Sequence, residues 1–328
     1  MSAEVRELVR KYLPDFPIQY CRSLVTDTTQ FMSIDYGNVI RLNDMHYMVY
    51  KNEAERRFGL EDPKYWVKRC HELETGQRKI LKLEFFETFP VQVGRFSVEC
   101  YRSPDKESRI LEIVRDDERF MQGVTVKDAA GRNVRILEIV NGRRLDVTVD
   151  RIDLDHQTYF RERLPGLLRK YLEAIRAIGM LHQHGERHGD IRRDHLYMEF
   201  GTEHLRWIDF DYTFHSYEHP FGLDLFGLGN ILVFLVGKAN ITVQSIESMG
   251  FAEQLQGKLS TEDLSIVIPN RIVNLRKIYP YIPEALNNVL MHFSNSAEIF
   301  YNTTDDLLAD LVPCIEALEK EFGGAAPA

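Results

Sequence analysis

The hydrophobic pattern of this chain changes period once, and that single change limits what it can fold into. From about Asn38 to Val149 apolar residues come in short alternating runs, NVIRL, HYMVY, KYWVKRC, KILKLEF, GVTVK and NVRILEIV. A period of two is the mark of strands. After about Tyr159 the period lengthens: Leu167, Leu168, Tyr171, Leu172, Ile175 and Ile178 recur as one face of a long helix. Strands gathered first and helices afterwards predict an α+β architecture with a β-rich part and a helical part.

Local signals refine this outline. Residues 2–13 predict a short helix stopped by Pro14 and Pro17. Glu74-Thr75-Gly76-Gln77 joins two alternating runs as the turn of a β-hairpin. One helix interrupts the strands, with Ser103 as N-cap, Pro104 in its first turn, and Ile110, Leu111 and Val114 on one face. Further helices are expected near 222–237, 283–294 and 303–320, the last bent at Pro313, and the GGAAPA tail is expected to be disordered.

Composition narrows the function classes. The 328 residues suit two domains or lobes. With 41 Lys and Arg against 50 Asp and Glu the formal charge is −9, which argues against bulk nucleic-acid or anionic-membrane binding. The four cysteines, Cys21, Cys70, Cys100 and Cys314, form no CxxC pair. They offer neither a zinc framework nor a disulfide scaffold and point to the cytoplasm. The N-terminus lacks the apolar centre of a signal peptide, and the apolar stretch around Ile231–Val236 is too short to span a bilayer.

The stretch richest in chemistry is His188-Gly189-Asp190-Ile191-Arg192-Arg193-Asp194-His195, directly after the long helix. Asp209 follows Asp190 by 19 residues, within Trp207-Ile208-Asp209-Phe210-Asp211. Two Asp-bearing loops beside apolar runs provide carboxylates for divalent-metal phosphate chemistry, in which one oxygen ligates Mg²⁺ and another orients an attacking hydroxyl.

These motifs, in this order, resemble those of the protein-kinase-like superfamily. Trp66–Arg69, the turn at Glu74–Gln77 and Lys79–Lys82 resemble the hairpin carrying the phosphate-anchoring lysine, here Lys82. Glu107 matches the helix glutamate that pairs with it. His188-Gly189-Asp190 resembles the catalytic loop, with Asp190 as base, and Asp209-Phe210-Asp211 resembles the metal loop, with Asp209 on Mg²⁺. Asp224 resembles the aspartate that braces the catalytic loop, and Arg192 falls where a basic residue contacts the transferred phosphate. The resemblance implies a bilobal protein-kinase-like fold: an N-terminal helical extension over 1–30, an N-lobe over 31–141, a C-lobe over 142–322 and a tail at 323–328. It implies ATP and Mg²⁺ as cofactors, Gly59, Val67, Lys82, Glu138 and Val140 around the nucleotide, and a protein or small-molecule hydroxyl as acceptor. A Ser/Thr protein kinase is the default expectation.

Departures from the pattern leave alternatives open. The phosphate-cradling loop, Phe58-Gly59-Leu60-Glu61-Asp62-Pro63-Lys64-Tyr65, has one glycine. His195 stands where the family carries a metal-binding Asn, and Asp211 replaces the glycine of the metal loop. Asp211 either supplies a metal oxygen that His195 cannot, or only turns the chain. Asp224 follows Asp209 by 15 residues with no Ala-Pro-Glu between them. That short segment is similar to aminoglycoside- and choline-kinase-like or RIO-type enzymes. The rivals are therefore a small-molecule kinase and a pseudokinase scaffold. Arg187, Arg193 and Asp194 are expected as surface charges, and His182 as a helix-end residue that suits the dipole.

Overall fold

The computed structural model describes residues 3–57, 60–93, 96–214 and 219–322. Helix α1 (Ala3–Tyr12) leads into strands β1 (Leu24–Val25), β2 (Val39–Leu42), β3 (Met45–Arg57), β4 (Leu60–Glu72), β5 (Arg78–Lys82), β6 (Thr88–Val93) and β7 (Phe96–Arg102). Helix α2 (Pro104–Ile113) precedes β8 (Gly123–Lys127), β9 (Asn133–Glu138) and β10 (Gly142–Arg144). Then follow α3 (Leu145–Asp150), α4 (His156–Glu162), α5 (Leu164–Gln183), β11 (Leu196–Glu199), β12 (Leu205–Trp207) and β13 (Tyr212–Phe214). The chain continues through α6 (Gly222–Gly237), α7 (Ala252–Leu255), α8 (Glu284–Met291) and α9 (Thr304–Phe322). Residues 1–87 and 102–140 form one compact unit, and residues 88–101 and 141–328 form the other.

The first unit is built on a seven-stranded sheet in the order β1-β2-β3-β4-β5-β9-β8. Its β1–β2 pair is parallel and the other neighbours are antiparallel. The period of two sorts the side chains by face. Ile40, Leu42, Tyr47, Val49, Cys70 and Leu81 pack into one core, while Val39, Met48 and Leu73 cover Val5 and Val9 of α1. Each such side chain contributes about 1.5–3 kcal/mol when fully buried. The turn before β5 forms as expected: Gly76 takes φ +72°, and Glu72 N donates to Gln77 O at 2.9 Å. Helix α2 starts where its cap predicts, with the Ser103 hydroxyl accepting from Lys106 N at 3.2 Å.

The second unit is mostly helical. Leu167, Leu168, Tyr171, Leu172, Ile175 and Ile178 of α5 are buried, as their spacing predicts, and Trp207 Nε1 donates to Ala174 O on that helix at 2.9 Å. Helix α6 is apolar almost all round and is buried accordingly. No helix among the described residues is long and apolar enough to cross a membrane.

Two elements depart from the expected pattern. Leu145–Asp150 is a helix although the alternating pattern extends to Val149. Leu145 and Val149, four residues apart, are both buried, so a helical turn satisfies them equally well. Strands β6 and β7 form a hairpin that the sequence pattern does not announce, pairing Val91 with Val98. The three-stranded order β13-β7-β6 ties this hairpin to the strand after Asp209-Phe210-Asp211. Pro90 within β6 masks the strand signal. The expected tail at 323–328 lies outside the described residues.

Candidate functional site

In the sheet-rich unit, β5 and α2 bring together two residues separated by 25 positions. Lys82 Nζ donates to Glu107 Oε1 at 2.7 Å, with Glu107 completely buried. A third residue completes the cluster. Arg135 on β9 lies opposite Lys82 in the strand register and donates through Nε to Glu107 Oε2 at 3.1 Å. Its remaining donors reach Asn133 O at 3.1 Å and Leu83 O at 3.3 Å. No local signal links Arg135 to Glu107, although a cation inside the apolar run NVRILEIV stands out. Val67 is buried on β4 opposite Lys82. Glu138 is exposed at the end of β9, 3.7 Å from Lys79, and Val140 is half-buried just beyond. Gly59 lies outside the described residues, and Asp62 is exposed.

In the helical unit, the loop 188–195 is pinned from below by the first turn of α6. The Asp224 carboxylate accepts from His188 N at 2.7 Å, Gly189 N at 2.8 Å and His182 Nε2 at 3.0 Å. Burial works to raise the pKa of Asp224, but these donors hold it below the usual carboxylate range. His182, expected only to suit the helix dipole, is thus a direct partner of Asp224. Gly189 takes φ +85°, a conformation that favours glycine and turns the chain toward Asp190.

Asp190 is surrounded by the other predicted residues of this unit. His195 Nδ1 lies 3.4 Å from its Oδ2, and Arg192 Nε lies 3.6 Å from its Oδ1. Burial raises the Asp190 pKa; His195 and Arg192 oppose this, while Asp209 and Asp211 add to it. Asp209 occupies left-handed backbone at φ +66°, and strain of that kind in a residue with a side chain gathers at functional sites. Its Oδ2 is 3.5 Å from His195 Nε2. A carboxylate oxygen of Asp209 and one of Asp211 lie within 4.8 Å of each other, and Asp211 is buried.

The donor set distinguishes these groups as metal ligands. Two nearby carboxylates are hard oxygen donors of the kind Mg²⁺ takes. His195 has both ring nitrogens engaged: Nδ1 donates to Asp190 O at 3.0 Å, and Nε2 accepts from Arg192 Nη2 at 2.8 Å. The two arginines expected as surface charges are partly exposed and also have partners within the fold. Arg187 donates to Phe214 O at 2.9 Å on β13, and Arg193 stacks over Phe234 at 4.9 Å. Partners 27 and 41 positions away along the chain gave these residues no local signal.

No protein-family model matches this chain, and no curated protein matches it. Among solved structures it is similar to the kinase domain of PknI from Mycobacterium tuberculosis, at 12% identity and TM-score 0.47 over 82% of this chain and 95% of that one. It is also similar to Rad53 in complex with AMP-PNP, at 15% identity and TM-score 0.46 over 76% of this chain and 61% of that one. The chain has an α+β fold, with the strands first, the Lys82–Glu107 pair joining sheet to helix, and the Asp-bearing loops in the helical unit.

Proposed function

We propose that this chain is an ATP- and Mg²⁺-dependent phosphotransferase that moves a γ-phosphate to a hydroxyl, with a protein Ser or Thr as the default acceptor. The observation that carries this proposal is the construction of the loop around Asp190. Its carboxylate is made more basic by burial, its backbone is pinned by Asp224, and it lies near Asp209 on strained backbone. A carboxylate whose pKa is raised is a better proton acceptor from a hydroxyl.

Each unit has its own part in this scheme. Lys82, steadied by Glu107, holds phosphate oxygens, and Val67, Glu138 and Val140 border the nucleotide. Asp209 and Asp211 would hold Mg²⁺, which when bound supplies positive charge to the phosphate oxygens. His195 fixes the loop by donating to Asp190 O, and Arg192 places a guanidinium beside the Asp190 carboxylate. The four free thiols fit a reducing cytoplasm. A second reading, nucleotide binding without transfer, draws support from His195, whose engaged ring leaves one expected metal position without a donor.

Thermal shift with Mg²⁺-ATP, run beside γ-phosphate release, tests both readings. The wild type should gain stability and turn over. Asp190→Ala should keep the stability gain and lose about 100-fold or more in turnover, and Asp209→Ala should lose the Mg²⁺ dependence. Stabilisation without turnover in the wild type would support the second reading. Neither response would reject both.

A further inference from the structure

Arg271 is a buried cation. Its relative exposure is 3%. Nη2 donates to Asn230 O at 3.0 Å, while Nε is buried with no hydrogen-bond partner. Among the described residues no carboxylate pairs with it. A desolvated guanidinium without a counter-ion is among the least favourable groups a folded chain can hold.

A second arginine lies on the same helix face. Arg193 Cζ sits 4.9 Å from the Phe234 ring centroid, and Asn230 and Phe234 are one turn apart on α6. The acid nearest Arg193 is Asp146, at 4.0 Å from Nε, and its Oδ2 is already held by Arg144 at 2.7 Å. Burial, and then repulsion from Arg193, bring the Arg271 pKa down to about 10.

We infer that Arg193 and Arg271 form an oxyanion subsite on the α6 face beside loop 188–195, built for a phosphate group. Guanidinium forks match tetrahedral phosphate oxygens with parallel N–H donors, and a dianion balances Arg271 together with Arg193, whose acid Asp146 is 4.0 Å away and shared with Arg144. Arg193, with about a third of its side chain exposed (34%), gives the anion its way in. The subsite uses residues of the helical unit alone, so it stands or falls independently of Lys82 and of phosphotransfer.

Inorganic phosphate, titrated at constant ionic strength without nucleotide or metal, provides the test. The wild type should melt about 2–4 °C higher at saturation, and ³¹P line broadening should report the bound ion. Arg271→Met should melt no lower than the wild type in phosphate-free buffer, because a buried unpaired charge has gone, and should lose the phosphate gain. Arg193→Met, at a partly exposed position that tolerates change, should also lose most of the gain, whereas Lys82→Met should keep it. Glycerol 3-phosphate run in parallel separates a free ion from an esterified group, and a gain from either that depends on both arginines supports the subsite. No response in the wild type, or a response unchanged in Arg193→Met and in Arg271→Met, would overturn it. So would a response lost only in Lys82→Met.

Discussion

Glu107 serves two cations through opposite oxygens, Lys82 on Oε1 and Arg135 on Oε2. That sharing makes neighbouring substitutions unequal. Glu107→Gln strands the fully buried Arg135 without its counter-ion and should cost about 3–5 kcal/mol. Lys82→Met leaves Glu107 paired with Arg135 and should cost about 1 kcal/mol or less, while removing stabilisation by Mg²⁺-ATP. Urea unfolding of the two variants checks this asymmetry, and equal losses would contradict it. The helix that carries Glu107 was readable from Ser103-Pro104, because a cap and its first turn are local chemistry, while the role of Glu107 was implied only by the resemblance that pairs it with Lys82. Arg135 was not, because its partner lies 28 positions away.

Helix α6 positions the loop 188–195 in two ways, by hydrogen bonds at Asp224 and by close packing at Gly227. A Cβ on Gly227 would sit 2.6 Å from Ile191 Cβ and 2.8 Å from Ile191 O. One on Gly229 would sit 2.3 Å from the Phe293 ring. Both substitutions to Ala overpack, at about 1–3 kcal/mol each. Only Gly227→Ala pushes on the residue next to Asp190, and it should lower kcat about tenfold or more, whereas Gly229→Ala should lower stability and spare kcat. Steady-state kinetics beside thermal melts distinguish them; matched kcat values would show that the loop does not depend on this contact. The β6–β7 hairpin belongs to the same scale. Its ends meet at Arg102 N donating to Glu87 O, 2.8 Å, so an inserted element can pair with β13 without disturbing the sheet it interrupts.

Stability of the whole molecule should fall in mild acid, and His156 gives one reason. Its Nε2 donates to Val236 O at 2.9 Å, so Nδ1 accepts from the Tyr281 hydroxyl at 2.7 Å, and the ring stacks on Tyr279 at 3.5 Å. Burial, helped by Lys238 and opposed by the Val236 bond, pushes its pKa from 6.5 down to about 4. Above pH 6.5 neither state binds the proton. Between 6.5 and 4 the unfolded chain binds it and the native protein does not, so stability falls by about 1.4 kcal/mol per pH unit. Unfolding free energies of wild type and His156→Phe should therefore differ in slope across that window, and parallel slopes would dismiss the linkage. At this scale the division between sequence and structure is clear. The strand-to-helix change of period, the Glu74–Gln77 turn, the Ser103 cap and the buried face of α5 follow from the sequence by itself, because each depends on residues within a few positions. The order of Lys82, Glu107, Asp190, Asp209 and Asp224 was likewise readable along the chain. Folding alone settled that Arg135 shares Glu107, that His182 holds Asp224, that both nitrogens of His195 are engaged, and that Arg271 is buried with no acid paired to it among the described residues. Those outcomes depend on desolvation and on partners from distant segments, and neither quantity exists until the chain has folded.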